Sequence, residues 1–236
     1  MARWNERSLR DYRERVESAL SRHEMVRLCP YLARIHTGTG NTKTGMCNEG
    51  TSSGSCGSCD KSCIGDCEDW CYVMTHVDGV RPACLEHHAE NLQARRGDPI
   101  AYYYAHFEKA RELGVPLRIN ETGDFEGHAD IFAFLCVATA YPTVKVIGYT
   151  KRESLLDIVA ECNTLPNVQL HYSLACKRNG EERARALGVP CTFVTTDIAK
   201  VGCPAQKLPK GKWHCRKCAE LGIGCFSNED VGFHAH

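Results

Sequence analysis

Cysteine is where this sequence concentrates its chemistry. Cys56, Cys59, Cys63, Cys67 and Cys71 crowd into SCGSCDKSCIGDCEDWCY (55–72), and Cys203, Cys215, Cys218 and Cys225 recur in GCPAQKLPKGKWHCRKCAELGIGC. Thiols at this density pair as disulfides, bind zinc or hold an iron–sulfur cluster. The opening residues, MARWNERSLRDYRERVESAL, are charged throughout and lack the apolar centre of a secretory signal. No run approaches the roughly 18 apolar residues of a membrane span. The expected compartment is therefore the cytoplasm, where thiols stay reduced, and metal is expected ahead of disulfides.

The C-terminal group is a C-x2-C pair flanked by two further cysteines. Four thiolates suffice for tetrahedral zinc or for a 4Fe-4S cluster, and spacing does not separate the two. Proline directly after Cys203 echoes cluster-binding runs, which favours iron–sulfur with zinc as the alternative. In the first group, Cys59, Cys63, Cys67 and Cys71 follow one another at C-x3-C spacing, with Gly65 opposing a continuous helix. Three ligands would leave an iron open for catalysis, four would suit electron transfer or structure, and a structural zinc knuckle is the plainer alternative. Which of the five cysteines bind is left open by spacing. Cys136, Cys162 and Cys191 lie in apolar segments and are expected to be small buried hydrophobes.

Outside the cysteines, polar residues gather where apolar segments end: Asn120, Glu121 and Asp124; Tyr149, Thr150 and Lys151; His171, Tyr172 and Ser173; Thr195, Thr196 and Asp197. Glu121, Asp124, Lys151 and Ser173 are the candidate small-molecule ligands. For Ser173, Thr196 and Asp197, capping a helix is the competing role. TGTGNTKTG (37–45) lacks the glycine that a phosphate loop needs before its lysine, so it reads as a loop. Lys207, Lys210, Lys212, Arg216 and Lys217 form a basic stretch compatible with phosphate contacts or with plain solvation.

These residues need elements to position them. Residues 5–23 carry Leu9, Tyr12, Val16 and Leu20 at helical spacing, and Met25–Ile35 is a short apolar segment with strand character. Residues 37–71 hold too few large apolar groups to bury a core, which demands an external organiser such as a metal. From residue 85 onward the pattern alternates: helix 85–113, strand 116–125, helix 128–140, strand 143–151, helix 152–163, strand 167–175, helix 181–188, strand 189–197. Strands alternating with helices imply βαβ units, hence an α/β fold: a partial (β/α) barrel or an open parallel sheet, with its ligand site at the carboxyl ends of the strands. The expected organisation is an N-terminal helix and first strand (1–36), a cysteine-rich cluster loop (37–84), the βα core (85–200) and a cysteine-rich C-terminal metal segment (201–236). Acidic and basic residues balance at 29 each, so overall charge gives no argument for a nucleic-acid or membrane partner.

GNTKTG (40–45), CEDWCY (67–72), RINETGDF (118–125), GYTK (148–151) and the C-terminal cysteines followed by VGFHAH, in that order, resemble the phage-associated gene product 88 family. The architecture also resembles the radical S-adenosylmethionine superfamily, whose members combine a partial barrel, an N-terminal cluster loop and C-terminal auxiliary clusters. That resemblance implies one or two 4Fe-4S clusters, bound S-adenosylmethionine, an electron donor, and a role for Glu121 and Asp124 at the methionine amine and for Lys151 at a carboxylate. Cys63, Cys67 and Cys71 depart from it by one residue, C-x3-C-x3-C in place of C-x3-C-x2-C. The competing reading is a non-catalytic zinc- or cluster-stabilised module that binds a host protein or nucleic acid.

Overall fold

The computed structural model describes residues 6–24, 34–39, 45–53, 58–59, 71, 73–74, 81–174, 180–208 and 213–234. The elements in chain order are α1 (Glu6–Arg22), β1 (Cys47–Asn48), α2 (Pro82–Gly97), α3 (Pro99–Leu113), β2 (Leu117–Ile119), α4 (His128–Ala140), β3 (Val146–Thr150), α5 (Leu156–Cys162), β4 (Val168–Ser173), α6 (Gly180–Ala186), β5 (Cys191–Thr195), α7 (Pro204–Lys207), α8 (Cys215–Leu221) and β6 (Val231–His234). The six strands are all parallel, lie in the order of the chain, and curl into a half-barrel.

Strand alternation explains why the helices settle on one side. Leu117 and Ile119, Val146, Val168, Leu170 and Tyr172, and Cys191 pack with Tyr102, Tyr103 and Phe107 of α3, Phe134 of α4, Leu156 and Val159 of α5 and Ala184 of α6 in one buried core. Gly148 is required in the middle of β3, because a Cβ there would lie 2.5 Å from Ile119 Cγ1 and 2.9 Å from Leu170 Cδ2. The opposite, concave face carries Arg118, Ile147 and Tyr149. A second, smaller cluster joins α1 to α2 through Tyr12, Val16, Ala19, Leu85 and Ala89.

Of the two expected forms of the α/β fold, a partial barrel or an open parallel sheet, the half-barrel is the one present, with four differences of detail. The single helix expected over 85–113 is two helices, because Pro99 cannot donate to a continuing ladder. The chain extends at Asp98 (φ −147°, ψ 91°), whose side chain accepts from the Ala101 N–H at 2.9 Å and caps α3. Of residues 37–71, expected to need an external organiser, the described stretch 45–53 is tied to the sheet, with Cys47 and Asn48 pairing with Leu117 and Arg118. A sixth strand, VGFH, returns to pair with β5. Cys162 and Cys191 are buried as expected, but Cys136 is exposed, one helical turn beyond exposed Phe132 on the outer side of α4. Of the apolar segment at 25–35, residues 25–33 lie outside the described residues; Ile35 packs on the main core.

Candidate functional site

The rim of the half-barrel is assembled around one buried arginine. Arg95 of α2 is fully buried and donates to Asp124 O at 2.7 Å and Thr51 Oγ1 at 3.2 Å. Its guanidinium lies 3.8 Å from Glu49 and 3.6 Å from Asp130. Glu49, just past β1, accepts from the Asn120 N–H at 2.7 Å and from the Tyr102 hydroxyl. Burial pushes the Glu49 carboxyl above the usual carboxylate range, against the pull of Arg95. One cation thus ties the ends of β1 and β2 to α2, α3 and α4.

This frame holds the loop RINETGDF. Asn120 adopts φ 50°, a conformation sparsely used by residues with a Cβ, and its side chain donates to Tyr149 O at 3.2 Å. Asp124 is buried, and its carboxylate accepts from the Phe125 N–H at 2.7 Å, the Thr150 hydroxyl at 2.7 Å and the Lys151 N–H at 2.8 Å. It joins the end of β2 to the end of β3 and does not line the cavity. Gly123 (φ 78°) leaves no room for a side chain, since a Cβ would stand 2.2 Å from Ser58 Oγ. Ser58 in turn accepts from the Asp124 N–H at 2.9 Å, and its carbonyl accepts from Arg152 at 2.9 Å. The start of the first cysteine loop, Ser58–Cys59, is therefore fastened to the ends of β2 and β3. At its far end Cys71 packs against the α1–α2 cluster. Cys56, Cys63 and Cys67 lie outside the described residues, as do residues 40–44 of the glycine-rich loop.

A cavity of about 330 Å³ runs along the concave face, from Met46 and Arg118 to Glu121, Lys151 and Ser173 at the strand ends. Its other wall is the β5–β6 connection, which folds back across the concave face and brings Cys203, Cys215, Cys218 and Cys225 into the same cavity. Cys203 precedes the first residue of α7, Cys215 and Cys218 share one turn of α8, and Cys225 sits in the 3₁₀ turn Gly224–Phe226. The turn is anchored by the His171 ring, whose Nε2 donates to Cys225 O at 2.9 Å. Burial pushes the Cys225 thiol up to about 12 and the Cys215 thiol up to about 11, with neighbouring cysteines adding to both. Two donors reach the sulfurs: the Tyr149 hydroxyl at 3.2 Å from Cys225 Sγ, and the Trp213 indole N–H at 3.0 Å from Cys218 Sγ. Among the described residues, no three His, Cys, Asp or Glu side chains are already gathered as the shell of a metal ion. The four thiols share a cavity without closing round one point.

The structure thus brings together Glu121, Lys151, Ser173 and the four C-terminal cysteines, and sets Asp124 behind the rim. Asp197 caps the 3₁₀ turn Ile198–Lys200, accepting from the Ala199 N–H at 3.0 Å. In the basic stretch, Lys217 lies over the Trp213 ring at 4.4 Å and Arg216 pairs with Glu220 at 3.2 Å. Lys210 and Lys212 lie outside the described residues. Arg118 is a charged lining residue that sequence reasoning does not single out as a candidate, and Tyr149, one of the strand-end polar residues, lines the cavity with it. The signal for Arg118 was there: a charge between Leu117 and Ile119, where a strand covered on both faces would be apolar.

Fold and site together define a parallel α/β half-barrel with a cysteine-walled cavity on its concave face. The gene product 88 family model matches residues 33–222, and the chain belongs to that phage-associated family. No curated protein and no solved structure matches the chain. Among the described residues, no helix is long and apolar enough to cross a membrane.

Proposed function

We propose that this gene product 88 protein is a thiolate-centred metalloprotein, and in its fuller form an iron–sulfur enzyme of the radical S-adenosylmethionine kind. The observation that carries the reading is the gathering of Cys203, Cys215, Cys218 and Cys225 into the cavity whose far end is lined by Glu121, Lys151 and Ser173. The donor set fits such a centre in type and place: four sulfurs, N–H and O–H donors aimed at two of them, and the Arg118 guanidinium alongside. Binding would require the four thiols, which line one cavity but are not gathered round one point, to draw inward. A cluster held there supplies one-electron chemistry.

The protein's own residues have separable tasks in this reading. Glu121 and Lys151, of opposite charge at one end of the cavity, suit the amine and carboxylate of a small zwitterion such as S-adenosylmethionine, with Ser173 offering a hydroxyl. Asp124 positions Lys151 by accepting its backbone N–H. The Cys59–Cys71 loop, expected to hold the first cluster with Cys63 and Cys67, starts at Ser58 on the same rim. Such an enzyme needs an electron donor as partner.

The same four thiols in one short segment also satisfy structural zinc, the basis of a second reading as a non-catalytic module that meets a host protein or nucleic acid. Metal and sulfide analysis with a visible spectrum, on protein purified without oxygen, separates these. Iron and sulfide near about four each per chain support one cluster and about eight each support two. Zinc alone, with salt-dependent retention on nucleic acid, sinks the enzyme in favour of the module. A metal-free chain, unaltered by replacing Cys215 and Cys218 with alanine, sinks both.

A further inference from the structure

We infer that Tyr149 and Trp213 are positioning residues that set the affinity and electronic character of the four-cysteine centre, by hydrogen bonding to Cys225 and Cys218. The inference rests on the metal reading above and goes beyond it, because it assigns a role to two residues outside the four thiols. Tyr149 projects from β3 and Trp213 from the chain just before α8, so two unrelated elements each aim a donor at a different sulfur, at 3.2 Å and 3.0 Å. Both rings are held in place. Arg118 lies over the Tyr149 ring at 5.5 Å, Phe233 meets it edge-on at 6.3 Å, and Lys217 covers Trp213 at 4.4 Å.

The choice of acceptor is what makes these contacts informative. A neutral thiol sulfur accepts weakly, so a tyrosine hydroxyl and an indole N–H gain little by facing one. A metal-bound thiolate is anionic, and the same two bonds become charge-assisted and about twice as strong. They withdraw density from sulfur, which lowers the energy of the filled sulfur orbitals and stabilises the lower-charge state of the bound metal. Outer-shell hydrogen-bond partners of metal ligands typically carry 10–100-fold in metal affinity, and hydrogen bonds to sulfur are among the factors that set cluster potentials.

The test uses Co(II) as the probe on the full-length reduced chain, titrated without oxygen in competition with a chromophoric chelator. Tyr149→Phe and Trp213→Phe each remove one donor and keep an aromatic ring, and urea midpoints of the metal-free proteins check that the fold is retained. The expected result is a sulfur-to-cobalt charge-transfer band in the parent that moves to lower energy in each variant, with affinity falling about 10–100-fold. Unshifted bands and parent affinity in both variants overturn the inference and leave the metal reading standing. Weaker binding with an unshifted band also overturns it, because that is the mark of disturbed packing alone. If the parent shows no charge-transfer band and binds no Co(II), the metal reading falls and the inference falls with it.

Discussion

His106 of α3 is fully buried, with Nδ1 at 2.8 Å from Thr37 Oγ1 and its ring edge-on to Tyr102. Burial, reinforced by the charges of Arg95 and His36, pushes its pKa down to about 3. The folded chain therefore holds this ring neutral, while the unfolded chain protonates it near the ordinary value of about 6.5. The folded pKa lies below the unfolded one, so this contribution is fully present above pH 6.5 and is lost as pH falls towards 3. Between pH 7 and pH 5 it removes about 2 kcal/mol. Urea unfolding of the parent and of His106→Gln at both pH values should show the variant losing about 2 kcal/mol less over that interval. Equal losses would mean that His106 is not what makes the fold acid-sensitive. Glu49 and Asp124, raised by burial, titrate in the opposite sense and are common to both proteins.

At the scale of elements, the site depends on strand ends being held at a fixed spacing, and Arg95 is the tie among them. It reaches residues beyond β1, residues beyond β2, and the first turn of α4, at positions far apart in sequence. Burial opposes its charge, and the carboxyl groups of Asp130 and Glu49 outweigh that opposition, so the guanidinium stays ionised. Replacing it with methionine fills similar volume but strands two buried carboxylates. Arg95→Met is expected to cost about 3–5 kcal/mol by denaturant unfolding. Adding Glu49→Gln should recover part of that loss, because one stranded charge is removed. A single variant within about 0.5 kcal/mol of the parent would show that the tie is not needed.

For the whole molecule, the unusual feature is the β5–β6 connection. The helices α3 to α6 cover the convex face, whereas this connection crosses the concave one and ends in β6, which pairs with β5 from Thr192 to Thr195. The cysteine-rich C-terminal segment is therefore an inner wall of the half-barrel. Ending the chain at residue 200 would uncover both the concave face and the edge of β5, an open template for further strands. The truncated protein is expected to elute from size-exclusion chromatography as oligomers or aggregates. A monomer with unchanged circular dichroism would show that the half-barrel stands without this wall.

Local pattern was enough to read the alternation of helices and strands from residue 116 to 197, the parallel α/β class, and the two cysteine groups with the chemistry open to them. Helix 128–140 and the strand cores at 146–150 and 168–173 follow from apolar runs bounded by turn residues, a property of short windows. Several features needed the tertiary structure. A two-residue strand at Cys47–Asn48 has no period to detect, and exists because β2 offers it an edge. Asp124 resembles a ligand in a line of polar residues until its hydrogen bonds to Phe125, Thr150 and Lys151 use its oxygens. Cys203 and Cys225 carry no sign in the sequence that they face Arg118 and Tyr149. That meeting is decided by the path of the β5–β6 connection over the curled sheet, a long-range contact that no local window contains.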